Sequence, residues 1–169
     1  MDSGAIFQIV FLVILLLLSA FFSSAETALT TANRIRMRTL AEDGDKRAAA
    51  VLRITDDSGK MLSAILIGNN IVNLSASSIA TSLAIKLWGS VGAGIATGIL
   101  TILILIFGEI SPKTLATIHS EKISLAYSGI ISFLMKVLTP VIFIINKLSL
   151  GFLMLLRVDP NAGAQQMTE

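Results

Sequence analysis

Residues 5–22 read AIFQIVFLVILLLLSAFF, an apolar run without a charged side chain. Crossing the hydrocarbon core of a bilayer takes about 20 apolar residues in a helix. The run is longer than the apolar core of a typical signal peptide, and Asp2 stands where such a peptide carries basic residues. It therefore predicts a retained first transmembrane helix, with cleavage near residues 23–25 as the alternative.

The composition of the whole chain agrees with a membrane protein. Of the 169 residues, 54% are hydrophobic and only 14% are charged, and the mean hydropathy is +0.82. Soluble domains carry about a quarter charged residues. The absence of cysteine excludes disulfides and thiolate metal sites. The net charge of +2 comes without a basic stripe interleaved with aromatic residues, so nucleic acid is not an expected partner.

Two further apolar segments, residues 61–88 and residues 93–107, predict a second and a third transmembrane helix with a tight turn at GSVG between them. The mixed-charge residues 33–60 cannot lie in lipid, and Gly44 in the turn EDGD divides them into two short helices. We therefore predict an all-α integral membrane fold with three transmembrane helices per subunit and a short cytoplasmic helical pair.

The last apolar segment, residues 126–156, is interrupted by Lys136, Pro140 and Lys147. Lysines can extend their charged ends to the headgroups, and a proline bends a helix that contains it. We expect a kinked juxtamembrane helix at the cytoplasmic interface, with a further membrane span as the alternative.

The distribution of basic residues predicts the orientation in the membrane. The first loop carries Arg34, Arg36, Arg38, Lys46, Arg47, Arg53 and Lys60. Loops rich in lysine and arginine stay on the cytoplasmic side. We therefore expect a multi-pass protein of the cell membrane, with the N-terminus outside and the C-terminus in the cytoplasm.

Three stretches place polar residues inside or at the ends of the predicted spans: SAFFSSAETALTTAN at 19–33, GNNIVNLSASS at 68–78 and GEISP at 108–112. In the first stretch one helix face carries the polar residues Ser19, Ser23, Glu26, Thr30 and Asn33. Small and hydroxylated residues also serve as packing contacts between membrane helices, so helix packing is the alternative to a binding role.

The GEISP stretch predicts a break in the third helix. Pro112 has no N–H, so the carbonyl of Gly108 loses its helical partner, and Glu109 lies beside it. Freed carbonyls, hydroxyls, amides and carboxylates suit a hard cation such as Mg²⁺, Ca²⁺ or Na⁺. An ion pair of Glu109 with Lys113 is the alternative, as is a pair of Glu26 with a basic residue of the first loop.

The motifs FFSSAETAL, IGNNIVN and FGEISPKTLA, in this order, resemble the transmembrane domain of the CorC/CNNM (cyclin M) magnesium transporters. The resemblance covers nearly the whole chain. It implies a homodimer in the lipid bilayer, with residues 1–157 as the transmembrane domain. Residues 158–169 would then be a truncated linker toward a cytosolic CBS-pair domain.

The resemblance further implies Mg²⁺ efflux, driven by Na⁺ entry, with a dehydrated Mg²⁺ held by oxygen ligands in the middle of the membrane. Carried onto this sequence, the metal ligands are Ser23, Ser24, Asn69, Asn70, Ser75, Gly108 and Glu109, with Glu26, Asn73 and Ser111 as secondary candidates. Gly108 and Pro112 would form the helix break that gates access.

Two other functional classes remain. A cation-sensing membrane anchor for a cytosolic regulatory domain would share this composition and topology. An intramembrane hydrolase would need a serine nucleophile and His119 as its base, but the chain has no G-x-S-x-G motif. We therefore expect no enzymatic activity.

Overall fold

The computed structural model describes residues 3–156, and within this range it contains helices and no strands. Its elements are α1 (Ser3–Thr31), α2 (Arg34–Glu42), α3 (Lys46–Asp56), α4 (Ser58–Leu103), a π-helical segment (Ile104–Ile110), α5 (Ser111–Ile118), α6 (Ser120–Val137) and α7 (Thr139–Leu155). The all-α prediction is therefore confirmed, whereas the linker predicted at 158–169 lies outside the described residues.

Two helical runs are long and apolar enough to cross a membrane. They are α1 and the run Ser58–Ile118, and the pair α6–α7 would be a third candidate if it counts as one span. In the most apolar windows of the two runs only 17% and 11% of the residues are buried within the fold. Apolar surfaces of this extent need a nonaqueous partner, so lipid is the solvent that the fold requires.

The long run Ser58–Ile118 turns back on itself at Gly89. This glycine has φ 70° and ψ −164°, outside the helical region. Leu83 and Leu103, on either side of the turn, line the same apolar pocket, and a Cβ on Gly92 would lie 2.9 Å from the carbonyl oxygen of Ala84. The tight turn predicted at GSVG is confirmed at its first residue.

The helical pair α2–α3 is fixed by its caps. The Oδ1 atom of Asn33 accepts two backbone N–H groups in the first turn of α2, at 3.0 and 3.2 Å. Asp45 caps α3 by accepting the backbone N–H of Arg47 at 2.8 Å, and Gly44 between the helices has φ 95°. The hydrogen bond from the Arg47 backbone, followed by that from its side chain, lowers the pKa of Asp45 below its ordinary value. The predicted pair of short helices is confirmed.

The predicted break at Pro112 is not an interruption of the helix. The π-helical segment, called the π segment below, runs directly into α5, and Pro112 lies in the first turn of α5. The backbone N–H of Ser111 donates to the carbonyl of Ile106, five residues earlier. A π turn holds one extra residue, and this shift of the hydrogen-bond register accommodates a residue without an N–H.

The last two helices meet at a sharp bend. The axes of α6 and α7 differ by 65°, with Leu138 between them and Pro140 in the first turn of α7. Pro140 has no backbone N–H, and its ring crowds the carbonyl four residues earlier, so one regular helix cannot continue from α6 through Pro140. The kink predicted in residues 126–156 is confirmed, and its position at the membrane interface stays a prediction.

Helix α1 forms the centre of the fold and contacts α4, the π segment, α5 and α6. Phe22 is buried against α4, where a Cβ on Gly68 would overlap its ring. On another side of α1 the ring of Phe21 lies 4.5 Å from that of Tyr127 in α6, centroid to centroid. The absence of a side chain at Gly68 therefore sets how closely α4 approaches α1.

The turn at Gly89 gives a direct test of the fold. We expect Gly89→Ala to lower stability by about 1–3 kcal/mol, because its backbone region is almost confined to glycine. Thermal unfolding in detergent would measure the loss. The matched control is Gly129→Ala in α6, since this helical glycine has no neighbour within 4 Å of an added Cβ. Equal unfolding temperatures for the two variants would contradict the reversal at Gly89.

Candidate functional site

The polar face of α1 is turned into the core at Ser19 and Ser23, whereas Thr30 and Asn33 of the same face are exposed. Ser19 and Ser23 lie one helical turn apart and are 1% and 2% exposed. The hydroxyl of Ser19 donates a long hydrogen bond of 3.4 Å to Oδ1 of Asn69 in α4. The first two polar stretches of the sequence therefore meet across the α1–α4 contact.

The third polar stretch reaches the same place through Gly108 in the π segment. A Cβ on Gly108 would lie 2.9 Å from the Oγ and 3.3 Å from the Cβ of Ser19. Only a glycine lets the π-segment backbone approach the hydroxyl this closely. Three segments that are far apart in the chain thus meet at Ser19, Asn69 and Gly108.

Three buried side-chain oxygens in α1 and α4 have no hydrogen-bond partner among residues 3–156. They are Ser23 Oγ and Asn73 Oδ1, each one helical turn from Ser19 or Asn69, and Oε1 of Gln8 further along α1. A buried polar group without a partner costs about 1–3 kcal/mol. Orphaned oxygens of this kind are suited to a ligand that accepts their lone pairs.

Ser24 contrasts with its neighbour Ser23. Its hydroxyl donates within α1, to the carbonyls of Ala20 at 2.7 Å and Phe21 at 3.0 Å. Ser24 lines a pocket of about 390 Å³ together with Ser111 and Pro112. Ser23 and Ser24, paired in the prediction, therefore face different surroundings.

An ion pair joins the C-terminal half of α1 to α5. Lys113 Nζ lies 3.5 Å from Oε2 of Glu26, and both side chains are about half exposed. The sequence offered two other pairings, Glu109 with Lys113 and Glu26 with the first loop, and the structure shows that both are wrong. Sequence spacing could not reveal the observed pair, because it depends on how α5 packs against α1.

Glu26 and Asn69 also share a pocket of about 250 Å³ between α1 and α4, with Ser63 as its third polar residue. The remaining wall is aliphatic. A continuous polar row results, from Gly108 through Ser19 and Asn69 to the Glu26 pocket. Ser19 was visible in the sequence on the polar face of α1, although it was not among the expected ligands.

Other predicted ligands lie outside these contacts. Asn70 is exposed on α4, whereas Ser75 and Glu109 are partly buried. Glu109 follows Gly108 directly and stays adjacent to the row, but the structure does not bring Asn70 and Ser75 to it. Within residues 3–156 no three His, Cys, Asp or Glu side chains cluster as a metal site would require. A cation site here would depend mainly on neutral oxygens.

Comparison with known families gives one match over most of the chain. The family described as the cyclin M transmembrane N-terminal domain matches residues 10–169. The resemblance seen in the three polar motifs is thereby confirmed.

Similar full-length proteins occur in bacteria. A UPF0053 protein of Haemophilus influenzae is 44% identical over 81% of this chain and 33% of its own length. The UPF0053 inner membrane protein YfjD of Escherichia coli is 36% identical over 78% of this chain and 31% of its own length. A polyamine export protein of H. influenzae is 28% identical over 88% of this chain and 37% of its own. The chain spans about a third of the length of these relatives.

The contact between Gly108 and Ser19 can be tested by a double-mutant cycle. We expect Gly108→Ala to cost about 1–3 kcal/mol, because the new methyl group overlaps a buried hydroxyl. The cost should fall in a Ser19→Ala background, since the closest atom is then gone. Gly129→Ala is the control, because its Cβ position is open. Additive losses of unfolding temperature would show that the two residues do not touch.

Proposed function

The chain belongs to the cyclin M transmembrane domain family, and from this premise we propose that it transports a divalent cation, Mg²⁺, across the bilayer. In this proposal Mg²⁺ leaves the cell as Na⁺ enters. The protein acts as a transporter and not as an enzyme.

The observation that carries the proposal is the polar row inside an otherwise apolar helical core. The Ser19 hydroxyl lies beside the backbone of Gly108 and donates to the amide oxygen of Asn69, and one turn along α1 Ser23 Oγ is buried without a partner among residues 3–156. Oxygen ligands of this kind are those that Mg²⁺ prefers, and a bound cation would remove the cost of the orphaned oxygen. Glu109, next to Gly108, supplies the negative charge that a neutral oxygen set lacks.

The π segment supports a role in access to this row. Single-turn π segments occur often at functional sites, because they displace backbone groups from the regular α-helical pattern. Transporters use such irregular helices, in protein-lined cavities, to present carbonyls to ions. We assign Gly108 and Pro112 to the gate on this ground.

The proposed topology has three crossings: α1 and the two arms of the run that reverses at Gly89. The basic α2–α3 pair then lies in the cytoplasm, the N-terminus lies outside, and α6–α7 follows the cytoplasmic interface. Gly94, Gly98 and Thr101 form an outward stripe that no other helix covers within residues 3–156. A second subunit fits this stripe, in agreement with the expected homodimer.

A polyamine is the second candidate substrate, and one observation favours it beyond the name of a relative. The ammonium group of Lys113 already lies 3.5 Å from Glu26, which lines the pocket shared with Asn69. An alkylammonium can therefore be accommodated by this carboxylate. The third candidate, a cation-sensing anchor, would bind the ion without moving it.

Flux from proteoliposomes loaded with Mg²⁺ tests the first proposal. We expect Ser23→Ala, Asn69→Ala and Glu109→Gln each to lower Mg²⁺ flux about tenfold or more, the scale on which altered metal ligation acts. Ser78→Ala is the control, because Ser78 is exposed on α4. Ser24→Ala should have a smaller effect than Ser23→Ala, since α1 already satisfies its hydroxyl. Unchanged flux in all three ligand variants would refute the site.

The same vesicles separate the three candidates. Flux of Mg²⁺ without flux of spermidine supports the divalent-cation transporter, and the reverse result supports polyamine export. Binding of Mg²⁺ by the purified protein without flux of either substrate supports the sensing anchor.

The ion pair of Glu26 and Lys113 predicts a separate effect. Lys113→Met should change stability by less than about 1 kcal/mol, because half-exposed pairs contribute little. It should nevertheless raise the affinity for the transported cation, since the Glu26 carboxylate loses its competing ammonium. Lys113→Arg, which keeps the pair, is the control. A concentration series of Mg²⁺ flux measures this affinity, and equal half-saturation in both variants would exclude Glu26 from the cation path.

A further inference from the structure

Another polar pocket lies where α3, α4 and α6 meet, away from the polar row described above. Its volume is about 300 Å³. Arg53 in the last turn of α3, Lys60 in the first turn of α4 and Lys136 in the last turn of α6 line it together. Three basic side chains thus converge on one cavity from three different helices.

The charges in this pocket are unbalanced. Asp57 is the one acidic residue of the lining, so three positive side chains against one negative leave a charge of +2. The Oδ1 atom of Asp57 accepts the backbone N–H of Lys60 at 3.2 Å, as the cap of α4. In the described part of the chain, the ion pairs Arg34–Asp56, Arg36–Glu121, Arg47–Asp45 and Lys113–Glu26 engage none of the three basic residues.

A phosphate group fits this arrangement. Lysine and arginine are the usual phosphate ligands, arginine through paired N–H donors and lysine as a compact charge. A phosphate monoester carries a charge of about −1.5 to −2 at neutral pH. This charge nearly neutralises the +2 of the pocket. The hydroxyl of Ser132 in the lining adds an uncharged donor.

The surroundings of the pocket place it at the level of lipid headgroups. Its base contains the buried apolar residues Ile54 and Met135. Lys136 stands just before the bend, beyond which α7 exposes apolar side chains such as Ile144 and Leu148. Basic pockets at this junction of charged and apolar surface are suited to anionic headgroups.

We propose that Arg53, Lys60 and Lys136 form a phosphate-binding pocket, separate from the cation row, that takes the phosphate of an anionic lipid or free phosphate. The proposal does not depend on the transported ion. It gives the helical pair α2–α3 a ligand that would fix its position against α6.

The test measures binding to the purified full chain in detergent, with two probes. One is short-chain phosphatidic acid, counted by native mass spectrometry against phosphatidylcholine, and the other is inorganic phosphate, followed by equilibrium dialysis. We expect one phosphate-bearing ligand per chain. Binding of both probes indicates a free-phosphate site that lipid also enters, whereas binding of phosphatidic acid alone indicates a lipid site.

Two double variants distinguish phosphate binding in the pocket from general attraction to basic charge on the surface. Arg53→Gln/Lys136→Gln should weaken binding at least tenfold. The matched control Lys46→Gln/Lys122→Gln also removes one charge from α3 and one from α6, at exposed positions outside the pocket, and should change binding less than twofold. If the double variant unfolds, the single variant Lys60→Gln provides an independent test. It should also weaken phosphate binding.

Two results would overturn the proposal. Equal weakening by the pocket variant and its control would show diffuse attraction to the basic surface. Absence of binding for both probes would show that the pocket takes no phosphate. Neither result bears on Mg²⁺ flux, so failure here is distinguishable from failure of the proposed transport.

Discussion

The close approach of other helices to the polar face of α1 is the constraint on which the structure depends. Gly68 lets α4 contact the ring of Phe22, and Gly108 lets the π segment contact the hydroxyl of Ser19. In lipid, apolar burial does not drive helices together, so packing of small residues and polar contacts must do so. The glycines therefore determine the distances between the helices. Those distances in turn determine how close the oxygens of neighbouring helices lie to one another.

The same approach explains why the core can hold polar atoms at all. Ser19 shares its hydroxyl with Asn69, and Glu26 meets Lys113, so much of the row is satisfied by the protein itself. The oxygens of Ser23 and Asn73, one turn along their helices, are exceptions. A core that satisfied every oxygen would leave nothing for an ion to coordinate, whereas a core with many orphans would be too costly to fold. This balance is what the proposed cation site requires.

Much of this could be predicted from the sequence, because helical spacing and turn residues are local signals. The face of Ser19 and Ser23, the division at Gly44 and the reversal at GSVG all follow from such signals. The pairing of Glu26 with Lys113 could not be predicted, since it depends on tertiary packing. The missing N–H of Pro112 suggested a broken helix, but a shift to π hydrogen bonding absorbs the same defect while the helix continues. Asn70 resembles Asn69 in sequence, and one residue of helical rotation gives it a different environment.

The central position of α1 also has a consequence for biosynthesis. A membrane protein is inserted from its N-terminus, so α1 enters the bilayer long before the ribosome has made Gly108 or Lys113. Its buried face must therefore tolerate lipid during that interval. Serine hydroxyls can do so by bonding to carbonyls of their own helix, as Ser24 does, at far lower cost than a charged group. Glu26 lies in the last two turns of α1, so its charge is kept near the end of that helix until its lysine partner has been synthesised.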